Sequence, residues 1–263
     1  AASRSALAPE TSQMIQPECS STLARRMLGT TSKRLAAVNS RGWSAMRSGN
    51  DRNRRRLVTS LASRSASAVD AHGVAWHYGD PLGEQRAIDD SSIVVDRSHR
   101  TVIRVSGKDA AEFLNNILSQ KLDDASDGFG GSALDLNIQG HIQHHADVVR
   151  VGADFYLDLP TAQAPSFLKF LQMMIFWSEV TVEEVDYGIL TILGDAQLPA
   201  TVTPLFVRAV DWAAAPRRDL AVPRAELAAT VDALVDAGLR LGGLMAYTAE
   251  RVRGLEPELG ADL

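Results

Sequence analysis

The sequence predicts an α+β fold of two stacked strand-and-helix units, with antiparallel sheets rather than one wound parallel sheet. Three observations predict it. Ser132–Ile138 and Ile142–Val151 read as strands meeting at Gln139-Gly140, which is the pattern of a hairpin. A strand runs into a glycine turn twice, in Val102–Ala110 and again in Ile189–Ala196. Between the strands lie amphipathic segments at helical spacing, two of them closed by glycine.

Structure is expected to begin near Val74. Asp80 followed by Pro81 reads as an N-cap with proline at the first helical position, opening a short helix through Asp89. In the strand that follows, Thr101, Ile103 and Val105 alternate with Val102 and Arg104, and the Ser106-x-x-Asp109 pattern then opens a helix. Ala110, Phe113, Leu114, Ile117 and Leu118 form that helix's apolar stripe. Asp123–Gly131 is polar and glycine-rich, hence loop.

After the hairpin, Phe155–Leu159 is a third strand, stopped by Pro160. A helix follows with Phe167, Leu168, Leu171, Met174 and Ile175 on its buried side, and the whole aromatic stripe from Phe167 to Trp177 is assigned to core. Glu179–Val185 and Ile189–Leu193 return to strand. The second unit ends in a helix over Pro223–Ala237 closed by Gly238, and another over Leu244–Arg253 closed by Gly254.

The 263 residues carry a net charge of -5, which conceals two different halves. Residues 1–69 hold twelve Lys or Arg against Glu10, Glu18 and Asp51, about +9, so the remainder stands near -14. The basic segment is rich in Ser, Ala and Arg, cannot bury enough apolar surface to offset its ordering entropy, and is expected to be a disordered arm over 1–72. A nucleic-acid tail, a transit peptide and sequence outside the functional protein compete for it, and specific nucleic-acid binding is not expected. Residues 73–186 form the first unit and 187–263 the second, read as ferredoxin-like.

Cys19 is the single cysteine, which excludes an internal disulfide and a cysteine zinc cluster and suits a reducing compartment. No run reaches the roughly 18 apolar residues of a membrane span. No glycine-rich phosphate loop, Gly-x-Ser-x-Gly elbow or His-Glu-x-x-His pair is present, so kinase, hydrolase and metalloprotease chemistry find no motif. His141, His144, His145 and His99 suggest a metal set, but strand alternation puts His144 opposite His141 and His145, so no metal site is assigned.

Taken in order, Val74–Pro81, Val95-Asp96-Arg97-Ser98-His99-Arg100, Val105-Ser106-Gly107-Lys108-Asp109 and Ile138-Gln139-Gly140-His141 resemble the glycine cleavage T-protein superfamily, and within it the YgfZ-type folate-binding proteins. Ala246–Gly254 is similar to that family's helix written A-x-x-x-L-R-I-x-x-G, and Leu259-Gly260-Ala261-Asp262 to the segment after it. Glu250 departs from the family's leucine, and Glu256 and Glu258 stand where basic residues are common. The resemblance implies a C-terminal barrel and a Lys-Gly-Cys-x-x-Gly-Gln-Glu signature downstream of Leu263, so the chain reads as C-terminally truncated.

Aligned through Gly140, the T-protein's Asp-Asp pair, whose carboxylate stabilises positive charge at the pterin, falls on His144 and His145. Imidazole cannot replace an anion in that role, so the resemblance implies binding without methylene transfer and no catalytic residue. It implies tetrahydrofolate as ligand, with His144, His145, Tyr156, Tyr247 and Arg251 as its site. It further implies an accessory role in assembly or repair of iron-sulfur enzymes, including those of tRNA modification. These clients are reached indirectly, by a monomeric protein of the cytoplasm or the mitochondrial matrix. The alternatives are an aminomethyltransferase and a non-functional fragment.

Overall fold

The computed structural model describes residues 68–263 apart from Trp212. The basic arm, except for residues 68–72, lies outside the described residues. Among the described residues no helix is long and apolar enough to cross a membrane.

Among the described residues ten strands and five helices follow one another. Helix α1 (Pro81–Asp90) precedes β1 (Ile93–Asp96) and β2 (Arg100–Ser106); α2 (Ala110–Ile117) leads to β3 (Gly130–Leu136), β4 (Ile142–Val151) and β5 (Asp154–Pro160). Then come α3 (Ala164–Met173), β6 (Thr181–Val185), β7 (Tyr187–Leu193), β8 (Phe206–Ala209) and β9 (Arg217–Pro223). A single 3₁₀ turn opens α4 (Leu227–Asp236), and β10 (Arg240–Gly242) and α5 (Leu244–Arg253) complete the order.

These strands make two five-stranded sheets, ordered β3-β4-β5-β2-β6 and β10-β1-β7-β9-β8, antiparallel throughout except for the parallel β1–β10 pair. The α+β expectation holds. Strand β1, which periodicity does not mark, leaves residues 73–186 to join the sheet of β7 to β10; its four residues are all buried, so they show no alternation.

Period two sorts each strand between two environments. Ile103, Val105, Phe155, Leu157 and Val148 pack under α2 and α3, whereas Leu190, Ile192, Leu220 and Val222 pack under α4. The opposite faces of the two sheets meet: Val102, Val149 and Tyr156 of one join Ile189, Phe206 and Ala221 of the other. The same two faces carry Arg100, Asp147 and Asp158, and Arg208, Arg217 and Asp219.

Local chemistry explains several boundaries. Asp80 caps α1 as expected, its carboxylate accepting from the Gly83 amide at 2.9 Å. Asp109 makes no such cap; its carboxylate accepts instead from the Glu179 amide at 2.7 Å and pins the approach to β6. Both repeated glycines, Gly107 and Gly194, have positive φ, but only the first leads into a helix. At the β3–β4 turn the Asn137 side chain accepts from the Gln139 and His141 amides, and Gly140 takes the left-handed conformation. Helix α5 does not end in a left-handed glycine: Gly254 is helical and Leu255 takes the positive φ.

The stripe expected to be core over Phe167 to Trp177 is core only in part. Helix α3 stops at Met173, and beyond it Phe176 and Trp177 are 69% and 92% exposed, because the helical period that buries Phe167 and Leu171 has ended.

Candidate functional site

Asp96-Arg97-Ser98-His99 carries the chain from one sheet to the other. The Asp96 carboxylate accepts from the Ser98 amide at 2.8 Å, an Asx turn, and the Arg97 amide donates to the Ile189 carbonyl at 2.9 Å. The buried Arg224 staples the crossing by donating to the Ser98 and Tyr187 carbonyls. This turn aims Arg97 and Arg100 into the space between the sheets.

There they meet a buried lattice of opposite charges. Arg100 pairs with Asp158 at 2.5 Å and with Asp147 at 3.0 Å. Arg208 pairs with Asp158 at 2.5 Å and with Asp219 at 2.9 Å, and all three side chains are fully buried. Arg217 and Arg97 approach Asp219 at 3.3 and 3.5 Å, and Thr191 donates to its carboxylate at 2.6 Å. Burial pushes the Asp158 and Asp219 carboxyls up, but Arg208 and Arg100 outweigh it for the first, and Arg217, Arg208 and Arg97 for the second. Both are therefore held below the ordinary carboxylate range. His99, beside this lattice, is lowered to about 3 by burial and by the Arg97 and Arg100 charges, and is neutral at physiological pH.

At one edge of the lattice lies a small cavity. Arg97, Arg100, His145, Asp147, Tyr247 and Arg251 line it, and Glu256 to Leu259 form its remaining side. Its free volume is about 20 Å³, room for about one water. Two guanidiniums approach the Tyr247 ring, Arg97 4.2 Å and Arg217 5.1 Å from its centre. Burial raises the Tyr247 phenol above its usual value. Three buried polar atoms of the lining, Arg97 Nε, Gln163 Oε1 and Arg251 Nε, have no hydrogen-bond partner, which suits a bound water or a polar ligand atom.

Three of the five residues singled out in the sequence come together here: His145, Tyr247 and Arg251. Two do not. Alternation along β4 turns His144 to the other face of the sheet, where its Nδ1 lies 2.7 Å from Asp135, its Nε2 lies 2.9 Å from Ser166, and its ring rests on Phe167 and Phe170. The Ser166 hydroxyl hydrogen goes to the Gln163 carbonyl, so this is a tie between β3, β4 and α3. Tyr156 lies between the sheets, 6.0 Å from the Phe206 ring, and does not line the cavity.

Sequence reasoning missed Arg97, Arg100, Asp147 and the lattice behind them. A signal existed: a charged residue inside an apolar strand, as in Leu157-Asp158-Leu159 or Phe206-Val207-Arg208-Ala209, is buried with a counter-ion or does not occur there. Asp147 places a carboxylate two residues from His145 on the same cavity, though Arg100 and Arg208 hold it.

No family model matches the chain, and no curated protein matches it. Among solved structures it is similar to the glycine cleavage system aminomethyltransferase T from Bartonella henselae. The TM-score is 0.66 at 20% identity, over 74% of this chain and 61% of that one. A heterotetrameric sarcosine oxidase from Corynebacterium sp. U-96 matches at TM-score 0.40 and 14% identity, over 69% of this chain and 92% of that one. The chain thus spans about 61% of the length of the aminomethyltransferase, and over that length its two packed sheets have the aminomethyltransferase T fold.

Proposed function

We propose that the chain binds tetrahydrofolate in the cavity between β4, α5 and the Asp96–Arg100 turn, as a YgfZ-like accessory protein rather than a methylene-transfer enzyme. The observation that carries the reading is the donor set. Arg97 and Arg251, and Arg217 once Glu256 leaves it, offer guanidiniums to carboxylates, Tyr247 offers a ring to an aromatic ligand, and His145 with the unpartnered Gln163 Oε1 offers polar contacts. This set suits an anionic, ring-bearing ligand, and the likeness in fold to an aminomethyltransferase supports the same choice. Tetrahydrofolate is far larger than about 20 Å³, so it enters only when Glu256 to Leu259 move aside.

The accessory role in iron-sulfur enzyme assembly or repair and tRNA modification follows from the sequence resemblance. His144 and His145 stand where methylene transfer places carboxylates, and His144 lies outside the cavity. Asp147 favours the second reading, an aminomethyltransferase, because it brings a carboxylate to the cavity wall. One experiment separates the two. The full chain is titrated with tetrahydrofolate by calorimetry, then assayed for methylene transfer with lipoyl carrier and ammonia donor. Binding without turnover is expected. Turnover would establish the enzyme, and absence of binding in wild type and in every strap variant described below would remove the folate reading altogether.

A further inference from the structure

The residues around the cavity are unbalanced in charge. In the lattice the guanidiniums of Arg97, Arg100, Arg208 and Arg217 face the carboxylates of Asp147, Asp158 and Asp219, leaving one positive charge without a counterpart. Glu256, from the segment after α5, supplies the fourth carboxylate, at 2.7 Å from Arg217. The same segment does this twice more. Glu258 lies 3.5 Å from Arg251, and Asp262 is ion-paired to Arg251.

The segment is also fastened by its backbone. Arg251 donates to the Glu256 carbonyl at 2.7 Å, and Gln163 on the far wall donates to the Leu259 carbonyl at 3.1 Å. Pro257 and Leu259 line the cavity between these two fastenings. Three carboxylates of one short stretch are thus paired with arginines at the edge of a cavity left with room for about one water.

We propose that Glu256–Asp262 is an acidic strap that occupies, with its own carboxylates, the positions at Arg217 and Arg251 which the carboxylates of an organic polyacid ligand take, so that ligand and strap exclude each other. The proposal rests on the reading of this cavity as a ligand site. Its chemistry is exchange: an anion that displaces Glu256 keeps the lattice neutral, whereas one that entered beside it would bring a surplus negative charge into buried surroundings. The ligand class that fits has at least two carboxylates, one for each arginine, joined to a ring for Tyr247.

The test compares wild type with the neutral strap E256Q/E258Q/D262N in the full chain. Folinic acid, a stable reduced folate, and glutarate, a plain dicarboxylate, are titrated by calorimetry. Hydrogen exchange of the Glu256 and Asp262 amides, which bond to the Arg251 and Glu258 carbonyls, reports the strap. Folinic acid is expected to bind the neutral strap about ten-fold more tightly, the scale set by two or three partly exposed ion pairs. In wild type its binding is expected to speed exchange at both amides. E258Q/D262N, confined to the two more exposed acids, guards against misfolding and is expected to give about a three-fold gain.

Equal or weaker binding by the neutral strap overturns the proposal, as does slower strap exchange on binding. If folinic acid binds neither protein but glutarate binds the neutral strap more tightly than wild type, the strap stands and the folate reading falls. If neither compound binds the neutral strap, the strap proposal is overturned.

Discussion

Arg208→Met tests whether the two sheets are held apart from water by paired charge. Arg208 is fully buried and is the side chain that bonds to both Asp158, at 2.5 Å, and Asp219, at 2.9 Å. Methionine keeps most of the volume but removes the cation, leaving two fully buried carboxylates with one positive neighbour fewer. Asp158 retains Arg100, and Asp219 retains Arg217 and Arg97, so the loss is that of one broken buried pair, about 3–5 kcal/mol. At about 2–4 °C per kcal/mol for a domain of this size, the midpoint falls by about 10 °C. Asp158 and Asp219 are held below the ordinary carboxylate range in the folded protein. The stability they contribute is therefore present above about pH 4 and is lost as pH falls through their folded values. The deficit of the variant is accordingly largest at pH 7 and narrows below about pH 4. Urea unfolding followed by circular dichroism at pH 7 and at pH 3 measures both. A variant within about 1 kcal/mol of wild type at pH 7 would refute the reasoning, since so small a change belongs to exposed pairs.

His144→Ala strips Asp135 and Ser166 of a shared partner and is expected to cost about 1–3 kcal/mol in urea unfolding. Folinic acid affinity should not change, because His144 lies on the face away from the cavity. His145→Ala, at the cavity wall, is expected to change affinity more than stability, and a reversal of these two phenotypes would move the site to the other face of the sheet. Gly107→Ala combines φ +123 with a Cβ placed 2.1 Å from the Glu179 carbonyl oxygen, whereas Gly140→Ala combines φ +82 with open space. The first is expected to cost more than about 2 kcal/mol and the second about 1 kcal/mol, so thermal melts that ranked them the other way would contradict the turn geometry.

What the sequence made legible was whatever leaves a local trace. The Asn137–Gly140 turn, the proline-led start of α1 and the apolar stripes of α2 and α3 each rest on neighbours in the chain. Strands β1, β8 and β10 are three or four residues long, and β9 opens with three charged residues, Arg217, Arg218 and Asp219, before its apolar run. A short or doubly buried strand has no periodicity to read, and its partners lie far along the chain. The site divided in the same way. Tyr247 and Arg251, one turn apart on α5, share the cavity as i,i+4 spacing requires. Arg97 and Arg100 reach it only through the crossing between sheets, a tertiary event. Ser106 and Asp109 spelled a capping box that was not formed, because the Asp109 carboxylate found a partner 70 residues away in the Glu179 amide.

The interface between the sheets is apolar on one side, at Val102, Tyr156, Ile189 and Phe206, and ionic on the other. Apolar residues of the same volume would stabilise it as well or better, since desolvating so many charges consumes most of their mutual attraction. What the ionic half supplies is an oriented field. Carboxylates on β4, β5 and β9 fix the planes of Arg100, Arg208 and Arg217, and the surplus guanidinium charge is directed to the edge where Arg97, Tyr247 and Glu256 meet. A rigid cationic edge selects negative charge with little reorganisation, and Glu256 already meets that demand from within the chain. Affinity for an anionic ligand is then the difference between its carboxylates and those of the chain, so it is set by the acidity of the segment after α5 as much as by the arginines that segment touches.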